Sequence, residues 1–263
     1  MTKLNQFLLY DELPLWSAPF GLTLLDTIRI RKNMKILDIG SGGGFPMLEI
    51  AERAGTTCQV WGIDPSEDAV GMIRNKIALK KIPNAEIIKT TAEILPFPDK
   101  HFHLVVANNG LNNVSDEKQV LSECFRVCKK GAQLVLTMNL PHTMTEFYEI
   151  LEEVFLEKEN FFAAEKMHAH IHEKRKPAEL WKEQILQAGF SIQDIIVDGF
   201  KIRYTDGTSF LSHYFIRTAF LPSWEKFTSA TDLRKAERKM NRIAKETGGF
   251  SVSIPFICFD LVK

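Results

Sequence analysis

The sequence predicts an α/β protein, a doubly wound and mostly parallel seven-stranded sheet with a helical insertion between its last two strands. Three observations predict it. Short apolar, β-rich runs alternate with amphipathic helical patterns from Met34 to Met138, as expected of parallel strands covered by helices on both faces. A glycine-rich turn, Gly40, Gly42, Gly43 and Gly44, closes the first of those strands. The stretch between the last two strand patterns, roughly forty-five residues, far exceeds the about 2–5 residues of a hairpin loop.

The elements follow in order. The first thirty residues carry two helical patterns, the second opening at Ser17, which can cap, with Pro19 in the first turn. Strand patterns run over 34–39, 58–63, 85–89, 103–107 and 133–138, with helices over 46–54, 67–80 and 116–129 between them. Beyond Pro141, helices are expected over 143–155 and 177–188, a sixth strand from Gly189 and a seventh over 251–262. The insertion reads as helices over 208–220 and 223–247. The chain therefore divides into N-terminal helices that close over the ligand site (1–33), a ligand-binding core (34–205), a helical insert (206–249) and a final core strand (250–263).

Composition narrows the functional classes. With 263 residues, 45% hydrophobic and 25% charged, the chain has the make-up of an ordinary globule. Its 33 basic residues balance 33 acidic ones, which argues against a nucleic acid or an anionic membrane as partner. The N-terminus lacks a basic start followed by an apolar region, and no apolar run reaches the about 18 residues of a spanning helix. The four cysteines have no metal spacing, and Cys124 and Cys128 fall in an apolar stripe, so a reduced, cytoplasmic protein is expected. His168, His170 and His172 could bind a metal or serve as a base. A solvated face explains them more simply, and no metal site is expected.

The strongest chemical signal is Ile36-Leu-Asp-Ile-Gly-Ser-Gly-Gly-Gly-Phe-Pro. An apolar strand ends at Asp38, and the glycines let a ligand approach bare backbone ahead of a new helix N-terminus. A dinucleotide fingerprint needs a third glycine where Phe45 stands. A pyrophosphate would also be poorly served by the fixed carboxylate of Asp38, whereas a ligand with an ammonium group would be helped by it. S-adenosylmethionine, which carries an amino-acid tail, a sulfonium and no phosphate, fits these demands. Asp64, twenty positions past Gly44 in Trp61-Gly-Ile-Asp-Pro, is placed to accept hydrogen bonds from ribose hydroxyls, or else merely to cap the next helix.

These residues carry a resemblance. Leu37-Asp-Ile-Gly-Ser-Gly-Gly-Gly, Gly62-Ile-Asp-Pro, Ala92-Glu-Ile-Leu-Pro-Phe-Pro-Asp, Val105-Val-Ala-Asn-Asn-Gly-Leu-Asn-Asn and Ser122-Glu-Cys-Phe-Arg-Val-Cys-Lys-Lys-Gly stand in family order over roughly 34–140. Together they resemble the class I S-adenosylmethionine-dependent methyltransferases with a Rossmann-like sheet, in the branch of ubiquinone and menaquinone biosynthesis. The resemblance implies that Asp38, Gly40, Ser41, Gly42 and Gly43 hold the methionyl tail, and that Asp64 and Pro65 meet the ribose. It also implies that Thr91, Ala92 and Glu93 meet the adenine, and that Asn108, Asn109 and Gly110 line the methionyl side. Three positions depart from the family: Thr91 replaces the usual Asp, His103 an acid, and Asn112 and Asn113 two histidines.

The expected activity is methyl transfer to a small-molecule acceptor by in-line displacement, which needs alignment and a dry pocket more than a catalytic triad. A base is needed only for an acceptor that must lose a proton, and the pattern names no catalytic residue. His168, His170, His213, Tyr204 and Tyr214 are candidates by location alone. A catalytically silent binder of S-adenosylmethionine stays open, a nicotinamide- or flavin-dependent oxidoreductase is disfavoured by Phe45, and homodimer formation is left open. The aromatics of the insert, Phe210, Tyr214, Phe215, Phe220, Trp224 and Phe227, are expected to wall an acceptor pocket or else simply to pin the insert down.

Overall fold

The structure is a computed structural model and describes residues 15–263; the first helical pattern lies outside the described residues. Seven strands form one sheet: β1 (Lys35–Ile39), β2 (Gln59–Asp64), β3 (Ala85–Lys89), β4 (Phe102–Asn108), β5 (Cys128–Asn139), β6 (Ser191–Tyr204) and β7 (Phe250–Val262). Their order is β3-β2-β1-β4-β5-β7-β6. β1 pairs in parallel with both β2 and β4, setting Asp38 beside Gly62 on one side and Val106 on the other. β7 runs against β5: Lys263 donates to the Ala132 carbonyl near the start of β5, and Leu140 donates to the Pro255 carbonyl past its end.

Two compact units share this sheet. The first takes the chain through Met138, then Ala178–Val197 and Phe256–Lys263. It holds α1 (Ala18–Thr27), α2 (Met47–Ala54), α3 (Glu67–Lys80), α4 (Glu117–Val127) and α7 (Ala178–Gln187), the two helices between α4 and α7 belonging to the second unit. Its core joins Ile36, Val60, Leu104 and Val106 of the strands to Met47, Ile50, Val70 and Ile73 of α2 and α3. Central strands buried on both faces need such continuous apolar runs. The helices start where the sequence supplies caps: the Ser66 hydroxyl accepts from the Ala69 N–H, and the Asp116 carboxylate from the Gln119 N–H.

The second unit draws on Asn139–Pro177 and Asp198–Pro255, whereas the sequence pattern marks only 206–249 as additional. It contains α5 (Thr145–Leu156), α6 (Phe161–Lys174), α8 (Gly207–Ser212), α9 (Leu221–Trp224) and α10 (Ala230–Thr247). α10 opens on a reciprocal capping box between Ser229 and Asp232 and ends at Gly248, whose φ of 81° suits glycine. Its Lys239 bridges Glu153 and Glu157 beside α5, and Asp232 pairs with Lys158.

The helix expected over 223–247 ends as α9 at Trp224 and restarts as α10 at Ala230, capped by Ser229, and three further elements differ from the sequence reading. α6 was not expected, because only Ala163, Ala164 and Met167 are buried along it, a stripe too thin to show as periodicity. The helix expected over 208–220 is broken into α8 and a π-helical turn, Ile216–Phe220. Pro222 offers no N–H, and the turn before it widens so that the Leu221 N–H reaches the Ile216 carbonyl. The helix expected to reach residue 129 stops at Val127, where Cys128 turns extended and opens β5. Cys124 and Cys128 are both buried, and burial pushes the Cys128 thiol up to about 12, the behaviour of a core residue.

Candidate functional site

The strand order reverses direction between β1 and β4, and ligands of open α/β sheets bind at the carboxyl ends of the strands at that point. A cleft of about 500 Å³ opens there. Gly40 and Gly42 line it from the end of β1, Asp64 and Pro65 from β2, Thr91, Ala92 and Glu93 from β3, and Asn108, Asn109 and Gly110 from β4. Ile39, Ile63, Thr90, Asn113, Val114 and Ser115 complete the wall. Of the other residues expected at the site, Asp38 and Ser41 are buried and do not line the cleft. Gly43 sits exposed on the loop, with open space where a side chain would be.

The glycines are required by geometry at two places. Gly42 has φ +51°, and its N–H donates to Asp64 Oδ2 at 2.9 Å. A Cβ on Gly110 would stand 2.4 Å from the Ile39 carbonyl oxygen, and one on Gly40 3.1 Å from the Gly110 Cα, so the ends of β1 and β4 approach to backbone contact.

Asp64 ties the site together. Its other oxygen accepts from the Ser66 N–H at 2.9 Å, while Ser66 itself caps α3. Asp64 is thus not the cap that the simpler reading of the sequence offered. Each carboxylate oxygen uses one of its two acceptor positions on backbone and keeps another. Lys76, which the sequence reading missed, reaches back from α3 to donate to the Gly43 carbonyl at 2.8 Å. Lys76 continues the buried face of Val70 and Ile73, where a charged residue reads as an interruption of the apolar pattern.

Asp38 is 1% exposed, and among the described residues neither of its carboxylate oxygens has a hydrogen-bond partner. Burial, opposed by the nearby Ser41 hydroxyl and reinforced by the Asp64 charge, pushes its carboxyl up to about 7. An unpaired buried carboxylate is among the most unfavourable groups a fold can carry.

The loop after β3 is laced from below. Leu95 donates its N–H to Glu123 Oε2 at 2.8 Å, while Arg126 donates to the carbonyls of Leu95 and Phe97 and to Asp99. Two of the sequence motifs thus hold each other in place. Glu93 is occupied too: it accepts from the Ser115 N–H at 2.9 Å. Partial burial works against its charge there, and that bond with the Thr91 hydroxyl prevails, holding the carboxyl below its usual range. Asn108 receives the Thr137 hydroxyl and donates to the Ser17 carbonyl, fixing the start of α1, while Gly21 of α1 packs directly on Phe45. Phe20 stacks on Phe256 at 4.8 Å as part of the core. His103 accepts from the Lys35 N–H at the opposite edge of the sheet, away from the cleft.

The residues nominated by location alone do not converge on one site. His168 faces Glu152 from the exposed side of α6, His170 packs on Phe227, His213 lies edge-on to Tyr204, and Tyr214 is 74% exposed. Among the described residues, no three His, Cys, Asp or Glu side chains gather to hold a metal ion.

With this geometry in view, residues 30–188 match the family model described as a methyltransferase domain. That is more than half of the chain, and the chain belongs to this methyltransferase family, whose methyl donor is S-adenosylmethionine. It is 38% identical over 107 residues to a demethylmenaquinone methyltransferase of Listeria monocytogenes, covering 41% of this chain and 45% of that protein. It is 34% identical over 129 residues to the ubiquinone/menaquinone biosynthesis C-methyltransferase UbiE of Psychromonas ingrahamii, covering 48% and 51%. The chain thus spans about half the length of these curated relatives. In fold it is similar to the YcgJ protein of Bacillus subtilis, with a TM-score of 0.64 at 18% identity over 94% of this chain and 98% of that one. No helix among the described residues is long and apolar enough to cross a membrane.

Proposed function

We propose that the protein transfers a methyl group from S-adenosylmethionine to a small-molecule acceptor, with the glycine-loop cleft as the cofactor site. One observation carries this reading: Asp38, buried and without a hydrogen-bond partner under the glycine loop, is a carboxylate waiting for a cation. The ammonium group of a methionyl tail is such a cation, and a pyrophosphate is not. In this reading Asp38, with Gly40 to Gly43 and Asn108 to Gly110, holds the methionyl end. Asp64 uses its remaining acceptor positions for the ribose hydroxyls. Because Glu93 is engaged by Ser115, the adenine is left to Thr91, Ala92 and backbone. Bound S-adenosylmethionine supplies a methyl carbon activated by its sulfonium. What the chain contributes is alignment of the acceptor and exclusion of water.

The second unit is assigned the acceptor, since the cleft residues account for the cofactor. Of its aromatics, Phe210 and Trp224 are fully buried against Phe147, at centroid distances of 5.2 and 4.3 Å, and so belong to packing. Removing the whole insert would unroof that core, so point substitutions at partly exposed positions are the cleaner probe. Phe227→Ala should raise the acceptor KM with S-adenosylmethionine affinity unchanged. The function is tested by calorimetry with S-adenosylmethionine and S-adenosylhomocysteine, followed by a screen for S-adenosylhomocysteine release across small-molecule acceptors. Failure to bind either cofactor form would overturn the reading.

A further inference from the structure

Resting on that reading, we propose that the second unit holds an anion-binding subsite built on Arg175, and that the acceptor presents a carboxylate to it. Arg175 follows α6 and is 2% exposed. Its Nη2 donates to the Tyr148 hydroxyl at 3.3 Å, while Nε and Nη1 donate to nothing, and no carboxylate lies within ion-pair distance among the described residues. The guanidinium carbon stands 5.1 Å from the centre of the Tyr148 ring, a contact that offsets only part of the lost hydration.

The surroundings sharpen the point. The Tyr148 hydroxyl also accepts from Trp224 Nε1 at 2.9 Å, so both of its acceptor positions are taken. Among the described residues, Nε and Nη1 are buried donors with nothing to receive them. A buried polar cluster is normally satisfied, and an uncompensated buried charge is strongly destabilising. What is missing is an electron-rich anion. His170, desolvated by burial and close enough for the Arg175 charge to act on it as well, stays neutral and adds no second cation. Trp224, bonded to the same Tyr148 hydroxyl, packs on Phe220, and His170 packs on Phe227. A single guanidinium among aromatic walls suits a planar monoanion such as an aromatic carboxylate better than a phosphate dianion.

The experiment measures thermal stability of the full chain against benzoate, phenyl phosphate and benzamide, with and without saturating S-adenosylmethionine. Benzoate should raise the melting temperature with the logarithm of its concentration, and benzamide should not. Arg175→Met, which keeps the volume and the apolar stem, should lose about 10- to 150-fold in benzoate affinity, and Arg175→Lys should recover part of it. Stabilisation by phenyl phosphate without benzoate would overturn the choice of a carboxylate. Equal behaviour of benzoate and benzamide, or of the wild type and Arg175→Met, would overturn the subsite. If Arg175→Met does not fold, the benzoate–benzamide contrast on the wild type decides alone. None of these readouts requires turnover, and S-adenosylmethionine binding is scored separately, so failure here is distinct from failure of the proposed function.

Discussion

Replacing Asp38 by Asn should stabilise the free protein and weaken cofactor binding at the same time. The carboxyl rises from its ordinary 3.8 to about 7 through burial, a shift of about 3 pH units that at about 1.4 kcal/mol each amounts to about 4 kcal/mol. Because the folded state holds its proton more tightly than the unfolded chain, the protonated group's contribution is fully present below pH about 4. It is lost as pH rises to about 7 and is flat above. The amide of Asn has the shape of the protonated acid and does not ionise. Urea unfolding of the free proteins should therefore show variant and wild type close together at pH 4. The variant should gain about 1.4 kcal/mol per pH unit up to pH 7 and then hold its lead. Calorimetry at pH 8 should show the reverse sign, with S-adenosylmethionine affinity reduced by about 1.5–3 kcal/mol through loss of a charged partner. A stability difference that stays constant from pH 5 to 8, or unchanged cofactor affinity in the variant, would refute the assignment of Asp38 as a carboxylate held ready for the cofactor's ammonium.

Other expectations follow from the same geometry. Asp64→Ala frees the Gly42 and Ser66 N–H groups and should lower S-adenosylmethionine affinity by about 1.5–3 kcal/mol; unchanged binding by a folded variant in calorimetry would remove Asp64 from the site. Gly110→Ala puts a methyl group against the Ile39 carbonyl and should destabilise the protein by about 1–3 kcal/mol in urea, with cofactor binding lost in step. Trp224→Ala, by contrast, should cost about 3–5 kcal/mol of stability as a buried core truncation; a loss below 1 kcal/mol would show that the aromatic cluster is not the core of its unit.

Much of the first unit was legible in the sequence because its strands are short, apolar and separated by capped helices, each a local signal. The glycine turn was legible for a related reason: Gly42 and Gly110 serve backbone conditions that other residues meet poorly, so their presence reports the geometry directly. What stayed hidden depends on contacts between distant residues. Lys76 on the Gly43 carbonyl, Glu93 on the Ser115 N–H and Arg175 under Tyr148 leave no periodicity, since each is one polar side chain whose partner lies elsewhere in the chain. The helix carrying His168, His170 and His172 was missed because so little of it is buried. The break before Pro222 is a compromise between a missing N–H and the burial of Trp224, which local propensity alone does not resolve.

The lacing of Leu95, Phe97 and Asp99 to Glu123 and Arg126 means that the adenine-side loop is not a portable part. Its backbone is clamped by a helix that begins some twenty residues later and also holds the Glu93 carbonyl through Gln119. A chimera that imports this loop from a relative without the matching turn of α4 would receive the right side chains on a backbone free to drift. Exchanged as a pair, the two segments travel as one cassette, and cofactor preference could be re-engineered there without disturbing the acceptor side.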